Sequence, residues 1–358
     1  MTEVPSPVRP PPPRAATRRA GLRRLIAALL LPLLLPLLPA AARAAPLEKV
    51  RTYTQTNYPG FIQFAARDLG LFAKYGIDPD LHFFPSGAPI VQAAAANEWD
   101  VAFLGAPPAV IGATSLGMVT IGVIYDESVQ HKLIGRPEFV AAVQARPERL
   151  KGARIFVTTL STGHYVTEAC LRKFGLGPGD VSIIPSEQSA TLAAFGAGQG
   201  DLAQAWPPFT SALLERGNRV LCDGQQAGIE IATVWVASKA FAARRPDLVV
   251  RWLKANGEAI AWIRQDAART TAMYRRFMSS VGQSASDATL RDVVEFVMGA
   301  NTLDKQIGFM TAKGSGTPYI LRMYDGIARF FLRNGRLREL PDLRPYVDAS
   351  FLARAVQP

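Results

Sequence analysis

The chain has 358 residues, 49% of them hydrophobic and 19% charged, with a mean hydropathy of +0.10. That length suits two lobes of ordinary size, and the composition excludes disorder for the bulk of the chain. The net charge of +11 is concentrated at the start: seven basic residues and one acid precede residue 45, and the remaining 33 basic and 28 acidic residues leave +5 without a dense basic cluster, so no nucleic-acid partner is expected.

After a Pro-rich stretch (5–13), residues 18–24 supply a positive segment, 25–38 an apolar run and Ala42-Arg43-Ala44 a small-x-small cleavage site, the order of a signal peptide over 1–44. The run carries Pro32 and Pro36 and is shorter than the roughly 18 residues a bilayer requires, which argues against an anchor. The mature chain is expected to start near Ala45, and no cysteine stands there for lipid attachment. Thr17-Arg18-Arg19-Ala20-Gly21-Leu22-Arg23 resembles a twin-arginine signal, so the Sec and twin-arginine routes both remain open, and each leads out of the cytoplasm.

Two stretches about a hundred residues apart then carry the same punctuation. Phe84-Pro85-Ser86, an alanine-rich run, Asp100-Val101-Ala102 and Pro107-Pro108 answer to Ile184-Pro185-Ser186, an alanine-rich run, Asp201-Leu202-Ala203 and Pro207-Pro208. Each copy reads strand, helix, strand, helix, strand: 50–55, 62–75, 79–84, 90–97 and 101–104, against 153–158, 164–174, 181–184, 190–197 and 202–205. Such alternation predicts an α/β fold with mainly parallel sheets and helices on both faces. Between the copies, 119–124, 132–136 and the polar 144–151 are long enough to cross to a separate lobe, and the apolar 231–237 can return the chain. Beyond 240 the pattern is helical, with helices expected from Pro246 through Ile263, over 287–299 and over 318–334, and Trp252 and Trp262 on a core stripe.

In open α/β sheets ligands bind beyond the carboxyl ends of the strands, so the paired loops there are the candidates. The first pair offers Gln55, Asn57, Tyr58 and Gly60, and Thr159, Ser161, Thr162 and His164; Ser161 or Thr162 caps a helix whose free N–H groups either make an anion site or are simply capped. The second pair offers Ser86 and Glu187, with Ser86 and Ser186 also readable as helix caps. In the third pair, Gly105 and Ala106 face Ala205 and Trp206, and Trp206 is a flat wall where the first copy has a small residue, which makes it the expected ligand contact.

Catalytic and metal patterns are missing. His82, His131 and His164 have no ligand spacing, and neither a G-x-S-x-G elbow nor a P-loop occurs, so no metal or cofactor is expected. Cys170 and Cys222 can pair in an oxidising compartment or stay as buried small hydrophobes.

The segment 61–76 followed by Ile77-Asp78, then Glu98-Trp99-Asp100-Val101-Ala102, Leu150-Lys151-Gly152-Ala153-Arg154-Ile155 and Gly200-Asp201-Leu202-Ala203-Gln204-Ala205-Trp206-Pro207-Pro208, resembles the nitrate/sulfonate/taurine group of periplasmic substrate-binding proteins. The resemblance implies a two-lobed, type II-like periplasmic-binding-protein fold joined by two crossover strands. It puts 45–131 and 236–358, with the C-terminal helices, in lobe I and 132–235 in lobe II, the lobes parting near Ile134 and Ala232. It further implies a periplasmic monomer that closes by a hinge around a small organic anion, sulfonate- or carboxylate-like, and delivers it to an ABC-type permease; a neutral aromatic or pyrimidine ligand is the alternative. Two enzyme branches share this fold. The desulfinase branch uses a cysteine in the loop after the first strand, and 55–60 has none; the pyrimidine-synthase branch uses a cysteine-rich run, which the sequence lacks. A sensor reading would need a second membrane span or a signalling domain after Pro358, and an enzyme is not expected.

Overall fold

In a computed structural model, residues 46–312 and 314–357 are described, so the signal peptide read over 1–44 lies outside the described residues. The first copy of the duplication is β1 (Glu48–Gln55), helix Tyr58–Asp68, a short helix Leu71–Lys74, β2 (Ile77–Phe84), helix Gly87–Ala95 and β3 (Val101–Gly105). Helix Ala106–Leu116 and β4 (Val119–Asp126) follow, and β5 (Lys132–Gly135) leads to helix Pro137–Ala145. The second copy is β6 (Arg154–Val157), helix Thr162–Lys173, β7 (Ser182–Pro185), helix Gln188–Gly196 and β8 (Leu202–Ala205); helix Phe209–Glu215, β9 (Arg219–Asp223) and β10 (Ala232–Ala237) complete the strands.

Among the described residues, ten strands form two sheets, in the orders β2-β1-β3-β10-β4 and β7-β6-β8-β5-β9, and each is the centre of one lobe. Within each, one strand runs against its neighbours: β10 in the first sheet and β5 in the second. The reason is geometric. The chain leaves β4 at its carboxyl end, on the cleft side, and enters the second sheet from that same side, so β5 must run away from the cleft while β6, β7 and β8 run toward it; β9 to β10 repeats the manoeuvre in reverse. The expected boundary between 235 and 236 falls inside β10, which pairs with β3 and β4 along its length. The return to the first lobe therefore lies earlier, over 224–231, and β10 belongs wholly to the first sheet.

The repeated aspartates explain the repeated punctuation. Asp100 accepts the backbone N–H of Arg51 at 2.9 Å and its guanidinium at 2.7 Å, and Asp201 accepts the backbone N–H of Arg154 at 2.8 Å. In both copies an aspartate at the start of the third strand thus pins the first, and Asp100 and Asp201 return their own N–H groups to the Arg51 and Arg154 carbonyls.

The C-terminal helices pack mainly on the first lobe. Trp252 of helix Pro246–Ile263 is fully buried, donates its indole N–H to Thr52 and meets Trp235 edge to face at 5.3 Å. Trp262, expected in the core, is half-buried, with the Arg269 guanidinium 4.2 Å over its ring: it lies at the rim of the stripe, where its edge meets solvent. Helices Asp287–Val297 and Tyr319–Arg333 also reach the second lobe, through Ser286 and Thr289 donating to Glu215 and through Phe330 against Tyr165.

Candidate functional site

The carboxyl ends of both parallel strand sets meet at one tight cavity, with about 20 Å³ of free space. Gln55, Asn57, Tyr58, Ser86, Gly87, Phe103, Gly105, Pro108 and Thr233 line it from the first lobe. Ser161, Thr162 and Trp206 line it from the second, and Glu127 and His131 from the segment that crosses between them.

Four helices begin at this cavity. Asn57, Ser86, Gly105 and Ser161 are the N-caps of Tyr58–Asp68, Gly87–Ala95, Ala106–Leu116 and Thr162–Lys173. The first three have no side-chain cap; Ser161 accepts from the His164 N–H at 3.3 Å. The leading N–H groups of a helix have no partner within it and carry the positive end of its dipole, so four such ends converging on one space create a field suited to an anion. The cavity-lining residues include no lysine or arginine. Any anion there would be held by N–H groups, hydroxyls and amides.

Ser86 leaves its own helix uncapped because its hydroxyl donates across the cleft to Glu187 Oε1 at 3.1 Å. Glu187, expected at the ligand, is therefore tied to the opposite lobe and does not line the cavity; burial raises its carboxyl above the ordinary value. Its helix opens with Glu187 as N-cap, one residue later than a Ser186 cap would place it. The lobes come equally close at Gly105, where a Cβ would stand 2.4 Å from the Thr162 hydroxyl.

Four other expected site residues lie elsewhere. A Cβ on Gly60 would stand 1.9 Å from the Gln55 carbonyl oxygen, so its role is to let the first helix start tightly against the end of β1. Ala106 is the first residue of its helix and is buried in the core. Thr159 and His164 line a separate pocket with Phe330, Asn334 and Arg336. Successive helical residues turn by about 100°, so His164 projects roughly opposite to Thr162, and Leu160, in the left-handed region at φ 60°, turns the chain between Thr159 and Ser161. Burial, helped by Arg336, lowers the His164 pKa, and its Nδ1 accepts the Leu160 N–H.

Trp206 faces the cavity because the two copies diverge at this point. After β3 the helix starts immediately, at Ala106, whereas after β8 it waits until Phe209, leaving Trp206 in an extended loop. Gln188 holds that loop, accepting the Trp206 N–H while its amide nitrogen donates to Thr158 and the Gln204 carbonyl. The indole is only 3% exposed, its ring lies 5.4 Å from that of His131, and its own N–H has no partner.

Asn57 Oδ1, Thr233 Oγ1, the unpaired oxygen of Glu127 and both ring nitrogens of His131 are likewise buried without a hydrogen bond. Buried polar groups are nearly always satisfied, by protein or by ordered water, so this cluster is where water or a guest would find free hydrogen-bonding groups. Sequence reasoning missed Glu127 and His131, which sit in a polar five-residue connection that reads as a solvated turn.

Comparison with known proteins agrees with this architecture. The chain is 33% identical over 189 residues to the taurine-binding periplasmic protein of Escherichia coli (strain K12), an alignment covering 51% of this chain and 57% of that relative, so the match spans little more than half of the relative's length. The alkanesulfonate-binding protein SsuA from Xanthomonas axonopodis pv. citri, solved with MOPS bound, superposes with a TM-score of 0.66 at 19% identity, covering 85% of this chain and 99% of that one. The desulfurization enzyme DSZB shares the fold at a TM-score of 0.58 and 17% identity, over 86% and 99% of the respective chains. The family described as NMT1/THI5 like matches residues 55–270. With that match spanning more than half of its length, this chain belongs to the NMT1/THI5-like family.

Proposed function

We propose that the protein is the extracytoplasmic binding component of an ABC-type importer, a monomer that captures a small organic anion, sulfonate- or carboxylate-like, between its lobes. The observation that carries this reading is the convergence of four helix N-termini on a cavity with no basic side chain besides His131. Backbone N–H groups with fixed direction favour an anionic head group at the cost of little side-chain ordering. Asn57, Ser161 and Thr162 supply the polar contacts, and Trp206 the apolar wall that fits the ligand's carbon skeleton. The Cys170–Cys222 disulfide is in keeping with an oxidising compartment. It also occupies both cysteines of the chain, which favours binding over thiol-based catalysis.

The test is a thermal-shift screen with sulfonates, carboxylates, nitrate and pyrimidines, each acid paired with its neutral amide, since a ligand that binds only the folded state raises the melting temperature. The acids are expected to stabilise and the amides not. Equal shifts from an acid and its amide would replace the anion with a neutral aromatic ligand stacked on Trp206.

A further inference from the structure

The segment 159–164 has two faces. Ser161 and Thr162 line the central cavity, while Thr159, Leu160 and His164 line a second pocket, completed by Phe330, Asn334 and Arg336. This second pocket has about 200 Å³ of free space, against about 20 Å³ in the central cavity. Its walls come from different lobes. Helix Thr162–Lys173 belongs to the second, whereas helix Tyr319–Arg333, which carries Phe330 and leads into Asn334 and Arg336, is anchored in the first by a buried 2.6 Å hydrogen bond between Tyr324 and Thr120. Phe330 meets the His164 ring edge to face at 5.4 Å. His164 turns both ring nitrogens to protein groups, Nδ1 accepting the Leu160 N–H and Nε2 standing 3.6 Å from Glu168, so its ring serves as a wall. The charges here are not balanced. Glu168 is buried and faced by Arg172 at 3.7 Å, with Arg333 near enough to favour its charged form. Arg336 lines the pocket, is exposed and, among the described residues, has no ion pair.

We propose that this pocket is a second ligand site, which takes a small carboxylic acid with an apolar body and, by bridging the lobes, favours their closed arrangement. A guanidinium presents a planar fork of N–H donors that matches a carboxylate through two parallel hydrogen bonds, and the fork of Arg336 is uncommitted. The Thr159 hydroxyl and the Asn334 amide border the same space, and the apolar body lies against Leu160 and the rings of Phe330 and His164. A guest that touches both walls binds the closed form better than the open one, and by linkage a ligand in the central cavity then binds more tightly. The site goes beyond the importer reading and does not depend on it, since the two pockets share no lining residue.

The three histidines make the two pockets separately visible by NMR of the full chain. His131 reports on the central cavity, His164, assigned with His164→Gln, on the second pocket, and His82, which pairs with Asp80 and lines neither, is the control. Titration with benzoate is expected to move the His164 ring signal saturably, and titration with benzamide to leave it in place. Arg336→Ala, a change at an exposed position, should weaken the benzoate response about 10- to 100-fold, the usual worth of a hydrogen bond between charged groups. Solution scattering should give a smaller radius of gyration with benzoate in the wild type and no contraction in Arg336→Ala. An unmoved His164 signal, an equal response to benzamide, or a response that survives Arg336→Ala overturns the site. A response of His131 alone assigns benzoate to the central cavity, which overturns the second site and leaves the anion reading standing. Binding at His164 without contraction overturns the coupling to closure.

Discussion

Trp206 and Glu127 share a cavity but contribute to it in opposite ways. The indole is mostly apolar and gains from burial, whereas the carboxylate loses water and has an oxygen with no hydrogen bond in return. Trp206→Ala should therefore weaken ligand binding by about one to two orders of magnitude, in the range of a buried aromatic anchor. Unaltered affinity in a folded variant would make Trp206 a packing residue. For Glu127 the consequence appears in stability. Desolvation raises its pKa above the ordinary carboxylate value, with His131 opposing the shift, so the ligand-free folded state binds the proton more tightly than the unfolded chain. Such a group costs stability above its folded pKa, and the cost is relieved as pH falls through that pKa toward the unfolded value. Glu127→Gln is expected to raise the ligand-free melting temperature at neutral pH, with the gain shrinking as the wild type is acidified. A lowered melting temperature would mean that the pair with His131 stabilises the fold. The same comparison at Gly60 has no such subtlety: with the Gln55 carbonyl 1.9 Å from where a Cβ would stand, Gly60→Ala should destabilise the first lobe outright.

At the scale of elements, the disulfide joins helix Thr162–Lys173 to β9 across 52 residues of sequence. A loop of that size is expected to contribute about 4 kcal/mol through the unfolded chain. A Cys170→Ala/Cys222→Ala double variant should accordingly unfold at markedly lower denaturant while keeping its ligand affinity, since neither residue lines the cavity. Unchanged stability would show that the two sulfurs act only as core packing. The duplication is legible in the sequence because its marks are local and physical: Asp100 and Asp201 each pin an arginine of the first strand. The loops after those strands were legible for the same reason. The connection 127–131 was not. Glu127 and His131 look like the polar residues of a surface turn, and they become buried only because two lobes, assembled from distant parts of the chain, close over them. His164 illustrates the converse error, in which adjacency in sequence to Ser161 and Thr162 suggested adjacency in space and the helical turn carried it to the other side. Helix Ala267–Ser280 is hard to read from sequence because its buried apolar residues, Met273, Tyr274, Phe277 and Met278, fall within six positions and its first turns carry no apolar stripe.

For the whole molecule, the close approaches between lobes describe a closed form. Ser86 donates to Glu187 on one side of the cavity, Gly105 lies against Thr162 on another, and Ser286 and Thr289 donate to Glu215 farther out. None of these contacts is part of a sheet, and each can be broken by rotating one lobe without unfolding either. The backbone that would absorb the rotation is 127–131 and 224–231, outside both sheets; Ile134 is held between Ala203 and Val220 and is too firmly paired to act as a hinge. Ligand should then favour closure only through contacts made in both lobes at once. Solution scattering is expected to give a smaller radius of gyration at saturating ligand than without it, and an unchanged radius would rule out a hinge. Ser86→Ala separates closure from recognition further, because it removes a cross-cleft bond. Affinity should fall by about two- to tenfold, the worth of one such bond, and the loss should appear in the dissociation rate, since the open form that first meets the ligand does not contain the bond. A loss confined to the association rate would place Ser86 in the encounter with ligand and leave the latch without support.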